Sequence, residues 1–217
     1  MIPAMIVPVL TAPHLLYRMV DSIDFPVQHL VVIDNGRCVD PSMLRSWSDT
    51  IERLSLLPMP ANMGVAGSWN LGIKVTPFAP WWLIANFDIV WQPGSLSRWA
   101  ASDRRASLCL SGGSPPWCAF SVGEQVVSRV GLFDEGLHPA YFEDNDYQRR
   151  VEHAGLAVEQ TGIAVHHDNS STLAHGYRDR NNATYSDNQR YYSRKASMED
   201  YGPGDWSLAT RRRNSWD

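Results

Sequence analysis

Three acidic residues that stand close together are the strongest candidates for chemistry in this chain. Glu143, Asp144 and Asp146 lie within four residues of one another. Apolar residues then recur at helical spacing as far as Ala154, and Gly155 stands where a helix C′ residue belongs. The acids are therefore predicted to lie at the N-terminus of a short helix, where a carboxylate held near a hydroxyl group acts as a general base.

A structural role is the alternative for the same residues. Carboxylates in the first turn of a helix offset its macrodipole, and Asn145 with Gln148 three residues later matches a capping box. Asp146 is also correctly spaced to pair with Arg150 at i+4. The local pattern leaves capping and catalysis both open.

Two more acids follow apolar runs. Asp34 comes directly after the run 29–33, and Asp88 follows the run 81–85. In an open α/β sheet, ligands bind beyond the carboxyl ends of the strands. Asp34 and Asp88 are therefore predicted to face the same crevice.

Two further segments carry candidate binding groups. Gly64 and Gly67 open a predicted helix whose free N–H groups favour an anion, with a plain loop-to-helix turn as the alternative. The spacing matches neither a Walker loop nor a dinucleotide-binding GxGxxG motif. His166 and His167 follow a predicted strand, and a hydrogen-bonded pair at the strand end is the alternative to ligand binding.

Short apolar runs alternate with helical patterns along most of the chain, which predicts one α/β domain with a parallel, doubly wound sheet. The predicted strands are 4–10, 29–33, 53–57, 81–85, 108–110, 117–120 and 157–165. The predicted helices are 14–23, 41–47, one that begins near residue 64, 124–130 and the one that begins at the acidic cluster.

Composition narrows the class of protein. The 217 residues suit one substantial core, and the net charge of −4 does not favour general affinity for nucleic acid. Cys38, Cys109 and Cys118 match neither a zinc nor a disulfide pattern and fit thiols in a reducing cytoplasm. The apolar segment 1–10 is too short to span a bilayer and no other run reaches about 18 apolar residues, so a cytoplasmic protein without an integral membrane segment is expected.

The order of these features resembles the GT-A glycosyltransferases of family 2, and in particular their rhamnosyltransferase-like branch. The resemblance covers residues 4–172 and rests on Asp34, Asn62-x-Gly64, Asn70-x-Gly72, Asn86-Phe87-Asp88, the segments 131–135 and 141–146, Arg150, Gly155 and His166. It implies a single GT-A catalytic domain over 1–172, with a mostly parallel, Rossmann-like sheet flanked by helices. The polar remainder, 173–217, is expected to be a tail that is partly helical or wrapped on the domain, with Arg211–Arg213 solvated or touching an anionic acceptor.

The resemblance implies that the chain moves a sugar from a nucleoside-diphosphate sugar to an acceptor hydroxyl with inversion. Asp144 matches the family's general base, with Glu143, Asp146 and Arg150 beside it. The base removes the hydroxyl proton during attack on C1, and an ordinary Asp pKa of about 3.9 keeps it ionised at neutral pH.

The resemblance also implies a donor site and a metal site. The residues expected to bind the donor nucleotide are Thr11, Asp34, Asn62, Gly64, Asn70, Asn86 and Asp88. Asp88 matches the acid that holds Mn²⁺ or Mg²⁺ on the diphosphate, and Asn86 departs from the family's DxD motif by removing one anionic ligand. His166 resembles the late metal-binding histidine, and His167 competes for that role.

The identity of both substrates stays open at this point. UDP is the favoured nucleotide, with dTDP or GDP as alternatives, and the acceptor is a glycan, a protein or a modified base. Sugar-stacking surfaces are offered by Trp81, Trp82, Trp91 and Trp117, although core packing also explains them. A nucleotidyltransferase would want a basic loop after the first strand, which the segment 11–14 lacks, and a sugar-binding module without turnover is the second alternative.

Overall fold

A central sheet of seven strands organises the molecule, for which a computed structural model describes residues 1–44, 49–168, 176 and 178–202. The strands are β1 (Met5–Val9), β2 (Val27–Asp34), β3 (Ile51–Pro58), β4 (Trp81–Ala85), β5 (Ile89–Trp91), β6 (Ser107–Leu110), β7 (Ala119–Gly123), β8 (Ala157–Gln160) and β9 (Val165–His167). The order across the main sheet is β3-β2-β1-β4-β7-β6-β8, and β5 pairs with β9 in a separate two-stranded sheet.

The main sheet is mostly parallel, as predicted. Strands β3, β2, β1 and β4 run in parallel, and so do β6 and β8. Strand β7 is antiparallel to both of its neighbours. The reason is local: only residues 111–118 join β6 to β7, and so short a connection brings the chain back in the opposite direction.

Helices cover both faces of the sheet. They are α1 (Pro13–Asp21), α2 (Pro41–Leu44), α3 (Gly64–Val75), α4 (Ser95–Ala100), α5 (Glu124–Val130), α6 (Glu143–His153) and α7 (Arg178–Ser197). The buried side chains of α1 and α4 pack against one face, and those of α3, α5 and α6 pack against the other. This arrangement leaves the carboxyl ends of β1 and β4 open between α3 and α6.

Two local predictions are wrong. The predicted strand 157–165 is divided into β8 and β9, because Gly162 adopts φ 64° and turns the chain from the main sheet to the small one. The capping box does not form, because Asn145 lies inside the first turn of α6 while Phe142 is the N-cap. Gln148 instead donates a hydrogen bond to Glu152 over 2.8 Å.

The predicted tail contributes a long helix. Helix α7 runs from Arg178 to Ser197 and packs against the segment 134–146. The remainder of the helix predicted over 41–47, and Arg211–Arg213, lie outside the described residues. Within the part of the chain that is described, no helix combines the length and the apolar character needed to cross a bilayer.

Candidate active site

A cleft of about 320 Å³ opens where the carboxyl ends of β1 and β4 meet the N-termini of α3 and α6. The chain after β4 supplies Asn86 and Asp88, and the start of α6 supplies Glu143 and Asp144. Residues that are far apart in the sequence are thus brought together at the sheet edge where ligands bind in open α/β proteins.

Asp88 and His167 form the polar pair on one wall. The β5–β9 pairing places Ile89 opposite His167, so the imidazole lies next to the carboxylate that precedes β5. His167 Nε2 is 3.1 Å from Asp88 Oδ1, and Asn86 Nδ2 is 3.3 Å from the same nitrogen. His167 Nδ1 donates to the Ser114 carbonyl oxygen over 3.2 Å, since that oxygen only accepts.

The chemistry of this pair suits a shared cation. With Nδ1 protonated, Nε2 of a neutral His167 turns a lone pair toward the Asp88 carboxylate, and the two groups attract each other only through a proton or a cation. Burial lowers the pKa of His167, but the hydrogen bond and the charge of Asp88 outweigh burial and raise that pKa above its ordinary value. An imidazole nitrogen beside a carboxylate oxygen is a donor set that accepts Mn²⁺.

The protein does not supply a complete metal shell by itself. Among the described residues, no group of three His, Cys, Asp or Glu side chains is placed to hold a metal ion. Asp88 and His167 would supply two ligands to a cation, and a bound diphosphate and water would have to supply the others.

The structure distinguishes the two neighbouring histidines. The side chain of His167 is 5% exposed and lines the cleft, whereas that of His166 is 60% exposed and lies 3.2 Å from Asp168. Successive side chains of a strand point to opposite sides, so only one of the two reaches Asp88. The expectation that favoured His166 is not supported by its position.

Glu143 and Asp144 line the same cleft from the start of α6. Glu143 is 7% exposed, and its Oε2 has no hydrogen-bond partner among the described residues. Desolvation, followed by the charge of Asp144, raises the pKa of Glu143 to about 8. Desolvation also raises the pKa of Asp144, which corrects the ordinary value expected from the sequence and makes its carboxylate a stronger base.

The Glu143→Gln variant is expected to gain stability over the wild type as pH rises. Between about pH 4.5 and about pH 8 the folded protein keeps a proton that the unfolded chain has released, so wild-type stability falls with rising pH. Glutamine does not titrate. Urea unfolding measures the free energy of unfolding of both proteins. The value for the variant minus that for the wild type should be larger at pH 9 than at pH 5 by at least about 1 kcal/mol. A difference independent of pH would contradict this assignment.

The backbone just before α6 is strained. Tyr141 and Phe142 have φ values of 81° and 74°, a left-handed conformation that bulky residues rarely adopt. Such strain persists only where the surroundings hold it, and it is concentrated at functional sites. Here it directs the chain so that Tyr141 lines the cleft and α6 begins with Glu143 and Asp144 at its edge.

Asp146 and Arg150 lie behind the cleft. Arg150 Nε donates to Asp146 over 2.8 Å, which confirms the predicted i+4 pair. The other guanidinium nitrogens donate to the carbonyl oxygens of Val130 and Leu132, at 3.0 and 2.8 Å. Neither Asp146 nor Arg150 lines the cleft, so their contribution is to hold α6 in position.

Sequence reasoning missed Lys195, which completes this buried network from α7. Its Nζ lies 2.9 Å from Asp134 and 3.1 Å from Asp146. Tyr191 also donates to Asp134, over 2.8 Å. Burial raises the pKa of Asp134, but the charge and hydrogen bond of Lys195 outweigh it, so that pKa lies below its ordinary value.

The predicted donor-binding residues divide into two groups. Asn62, Gly64, Asn86 and Asp88 line the cleft. Gly64 has φ 75°, and a Cβ there would lie 2.9 Å from the Pro139 carbonyl oxygen, so this approach of α3 to the segment before α6 requires glycine.

Asp34, Asn70 and Thr11 are not among the lining residues. Asp34 is buried, and its carboxylate accepts the N–H groups of Cys38 and Val39, each over 3.0 Å. Its predicted contact with the nucleotide base is therefore not supported by its position.

Asn70 was expected to bind the donor but has a structural role, whereas Asn35, for which no role was expected, lines the cleft. The Asn70 amide bonds both backbone groups of Phe133 over 2.9 Å, and so fastens α3 to the loop 131–135. Asn35, the neighbour of Asp34, lines the cleft and was missed; the signal for it was its place directly after β2.

Of the four tryptophans considered as sugar-stacking surfaces, three are buried and one lines the cleft. Trp81, Trp82 and Trp91 are buried in the core, so they offer no surface to a sugar. Trp117 lines the cleft and stacks on Trp69 with ring centroids 6.4 Å apart.

Comparison with solved structures identifies the fold. No protein-family model and no curated protein sequence matches the chain. S. aureus TarS 1-349 in complex with UDP superposes with a TM-score of 0.59 at 14% identity, covering 74% of this chain and 57% of that one. GalNAc-T7 with UDP, GalNAc and Mn²⁺ superposes with a TM-score of 0.62 at 11% identity, covering 99% of this chain and 54% of that one.

The chain thus spans little more than half the length of these two structures. Both belong to the GT-A type, and the seven-stranded, mostly parallel sheet flanked by helices matches theirs. The chain has the GT-A glycosyltransferase fold.

Proposed function

We propose that the chain is an inverting, metal-assisted glycosyltransferase, related to family 2, that uses a nucleoside-diphosphate sugar with UDP as the favoured nucleotide. The observation that carries the proposal is that Asp88, which follows β4, and Asp144, at the start of α6, line the same cleft. The binding of UDP by both structural neighbours, and of Mn²⁺ by one of them, supports the same assignment.

The charge of the cleft explains why a cation belongs to the proposal. Asp88, Glu143 and Asp144 line it, and no Lys or Arg is found among the described lining residues. A diphosphate therefore needs a counter-ion, which Asp88 and His167 would hold together with the diphosphate oxygens. A bound Mn²⁺ or Mg²⁺ would offset the negative charge of the departing nucleoside diphosphate.

In the proposed reaction, the acceptor hydroxyl attacks C1 of the donor sugar. The bond from the acceptor oxygen to C1 forms, and the bond from C1 to the diphosphate oxygen breaks with its electron pair leaving on the diphosphate. Asp144 takes the hydroxyl proton. Because the base and the leaving group are proposed to flank the sugar on opposite faces, the configuration at C1 inverts.

The lack of Lys and Arg among the lining residues that the structure describes also separates this proposal from a nucleotidyltransferase, which would grip a triphosphate with Lys or Arg. Binding without turnover is favoured only by Asn86 in place of an acid. Release of UDP from UDP-sugars distinguishes the two: slow, metal-dependent hydrolysis indicates a transferase, and tight binding without release indicates a binding module.

UDP is expected to bind much more tightly with Mn²⁺ than with EDTA, and the variants Asp88→Asn and His167→Ala should each lose at least about tenfold in that affinity. Isothermal titration calorimetry of UDP, with and without Mn²⁺, measures the effect. His166→Ala is the matched control, because its exposed ring lies beside the cleft-lining His167 and should not affect binding. A UDP affinity that does not change when EDTA replaces Mn²⁺, or that is the same in Asp88→Asn as in the wild type, would refute the proposed metal role.

A further inference from the structure

We propose that an aromatic platform beside the base is the acceptor subsite and that it takes the pyranose ring of a neutral carbohydrate. The platform consists of Tyr141 and Phe142, which precede α6, and of Tyr185 and Tyr192 from α7. This inference rests on the proposed transfer reaction and adds the class of acceptor.

The four rings form one connected cluster. The Tyr185 ring centroid lies 5.3 Å from that of Tyr141 and 5.2 Å from that of Phe142. Phe142 stacks on Tyr192 with centroids 5.6 Å apart and an interplanar angle of 19°. Asn188 fixes α7 to the same segment by donating to the Ala140 carbonyl oxygen over 2.8 Å.

The platform continues from the cleft to the surface. Tyr141 lines the cleft together with Asp144, and Tyr185 is 41% exposed. The left-handed backbone of Tyr141 and Phe142 holds their rings against α7, which gives this strained pair a binding role. An acceptor that lies on the platform therefore reaches the proposed base directly.

The surrounding chemistry favours a sugar. A pyranose presents C–H groups on its faces, which pack on aromatic rings, and hydroxyl groups on its edge, which need polar partners. Glu143 Oε2 is buried at the cleft and lacks a partner among the described residues, so it is available to a hydroxyl. The Asp144 carboxylate repels a phosphate-bearing acceptor such as a nucleic acid.

Saturation-transfer NMR with a panel of neutral methyl pyranosides, in the presence of UDP and Mn²⁺, tests the proposal. The wild type and Tyr185→Phe are expected to bind at least one pyranoside, and Tyr185→Ala and Tyr185→Leu to bind it at least about fivefold more weakly. Leucine keeps the apolar packing and removes the ring, so it separates stacking from folding. Phe78→Ala, which removes a 97% exposed ring, is the matched control and should bind like the wild type.

UDP affinity, measured on the same samples, separates this inference from the proposed function. If the wild type binds UDP but no pyranoside, or if both ring-removing variants bind pyranosides as the wild type does, the platform is not the acceptor subsite and the donor site stands. Transfer to a peptide or a nucleobase instead of a sugar would also overturn the inference. If UDP does not bind at all, the proposed function itself fails.

Discussion

Asp144→Asn is expected to reduce sugar transfer by about 10²–10⁴-fold while leaving UDP binding unchanged. The substitution preserves the shape of the side chain and removes the atom that accepts the hydroxyl proton. Asp144 lines the cleft, and burial raises the pKa of its carboxyl, so the wild-type group is a better proton acceptor than an exposed Asp. Transfer is measured as release of UDP that depends on an acceptor.

Asn145→Ala is the control for this variant. Asn145 is the exposed next residue of α6, and it contacts Asp144 only through its backbone N–H, which alanine retains. Its activity should match that of the wild type. An Asp144→Asn enzyme that transferred sugar at the parental rate would remove the base from the proposed mechanism.

Lys195→Met is expected to lower the free energy of unfolding by about 3–5 kcal/mol. The Lys195 side chain is 4% exposed and bridges Asp134 and Asp146, both of which are buried. Without its charge, Asp146 would still pair with Arg149 and Arg150, whereas the buried Asp134 would lose the cation that it contacts among the described residues. Urea unfolding at neutral pH measures the loss.

Two comparisons show whether the loss has this electrostatic cause. Arg194→Met makes the same change at the adjacent, exposed position of α7 and should alter the free energy of unfolding by no more than about 0.5 kcal/mol. Lys195 holds the pKa of Asp134 in the folded protein below its ordinary value. The stabilisation from this pair is therefore present above the unfolded pKa of about 3.9, and it is lost as pH falls through the pKa of Asp134 in the folded protein. A loss below about 1 kcal/mol, typical of a surface pair, would show that the network does not stabilise the fold.

The sequence predicted the elements whose patterns are regular. Apolar runs located β2 and β4, and the helical spacing after the acidic cluster located α6 and its Gly155 terminus. Since ligands gather at the carboxyl ends of strands, these elements were enough to bring Asp88 and Asp144 to one cleft. The fold class followed from the same alternation.

Positions that depend on local loop conformation were not predictable. Asp34 follows a strand in the same way as Asp88, but the loop after β2 turns its own N–H groups onto the carboxylate. The choice between His166 and His167 depends on the register of β9 against β5, which a strand of three residues does not reveal.

The sequence predicted a partly helical tail but did not locate α7 within it, because the packing of this helix is not based on an apolar stripe. Its buried residues include Asn188 and Lys195, and its contacts are ion pairs, hydrogen bonds and ring stacking. A sequence that is polar on nearly every side is typical of an exposed segment, so hydrophobic periodicity carries no signal here.

A crystal structure of the chain with UDP and Mn²⁺, with the metal located by anomalous scattering, tests the central claim most directly. We expect the metal between Asp88 and His167 on the diphosphate, with Asp144 facing the position of the sugar from the opposite side. A nucleotide bound outside this cleft, or a diphosphate lying between the sugar position and Asp144, would contradict the account.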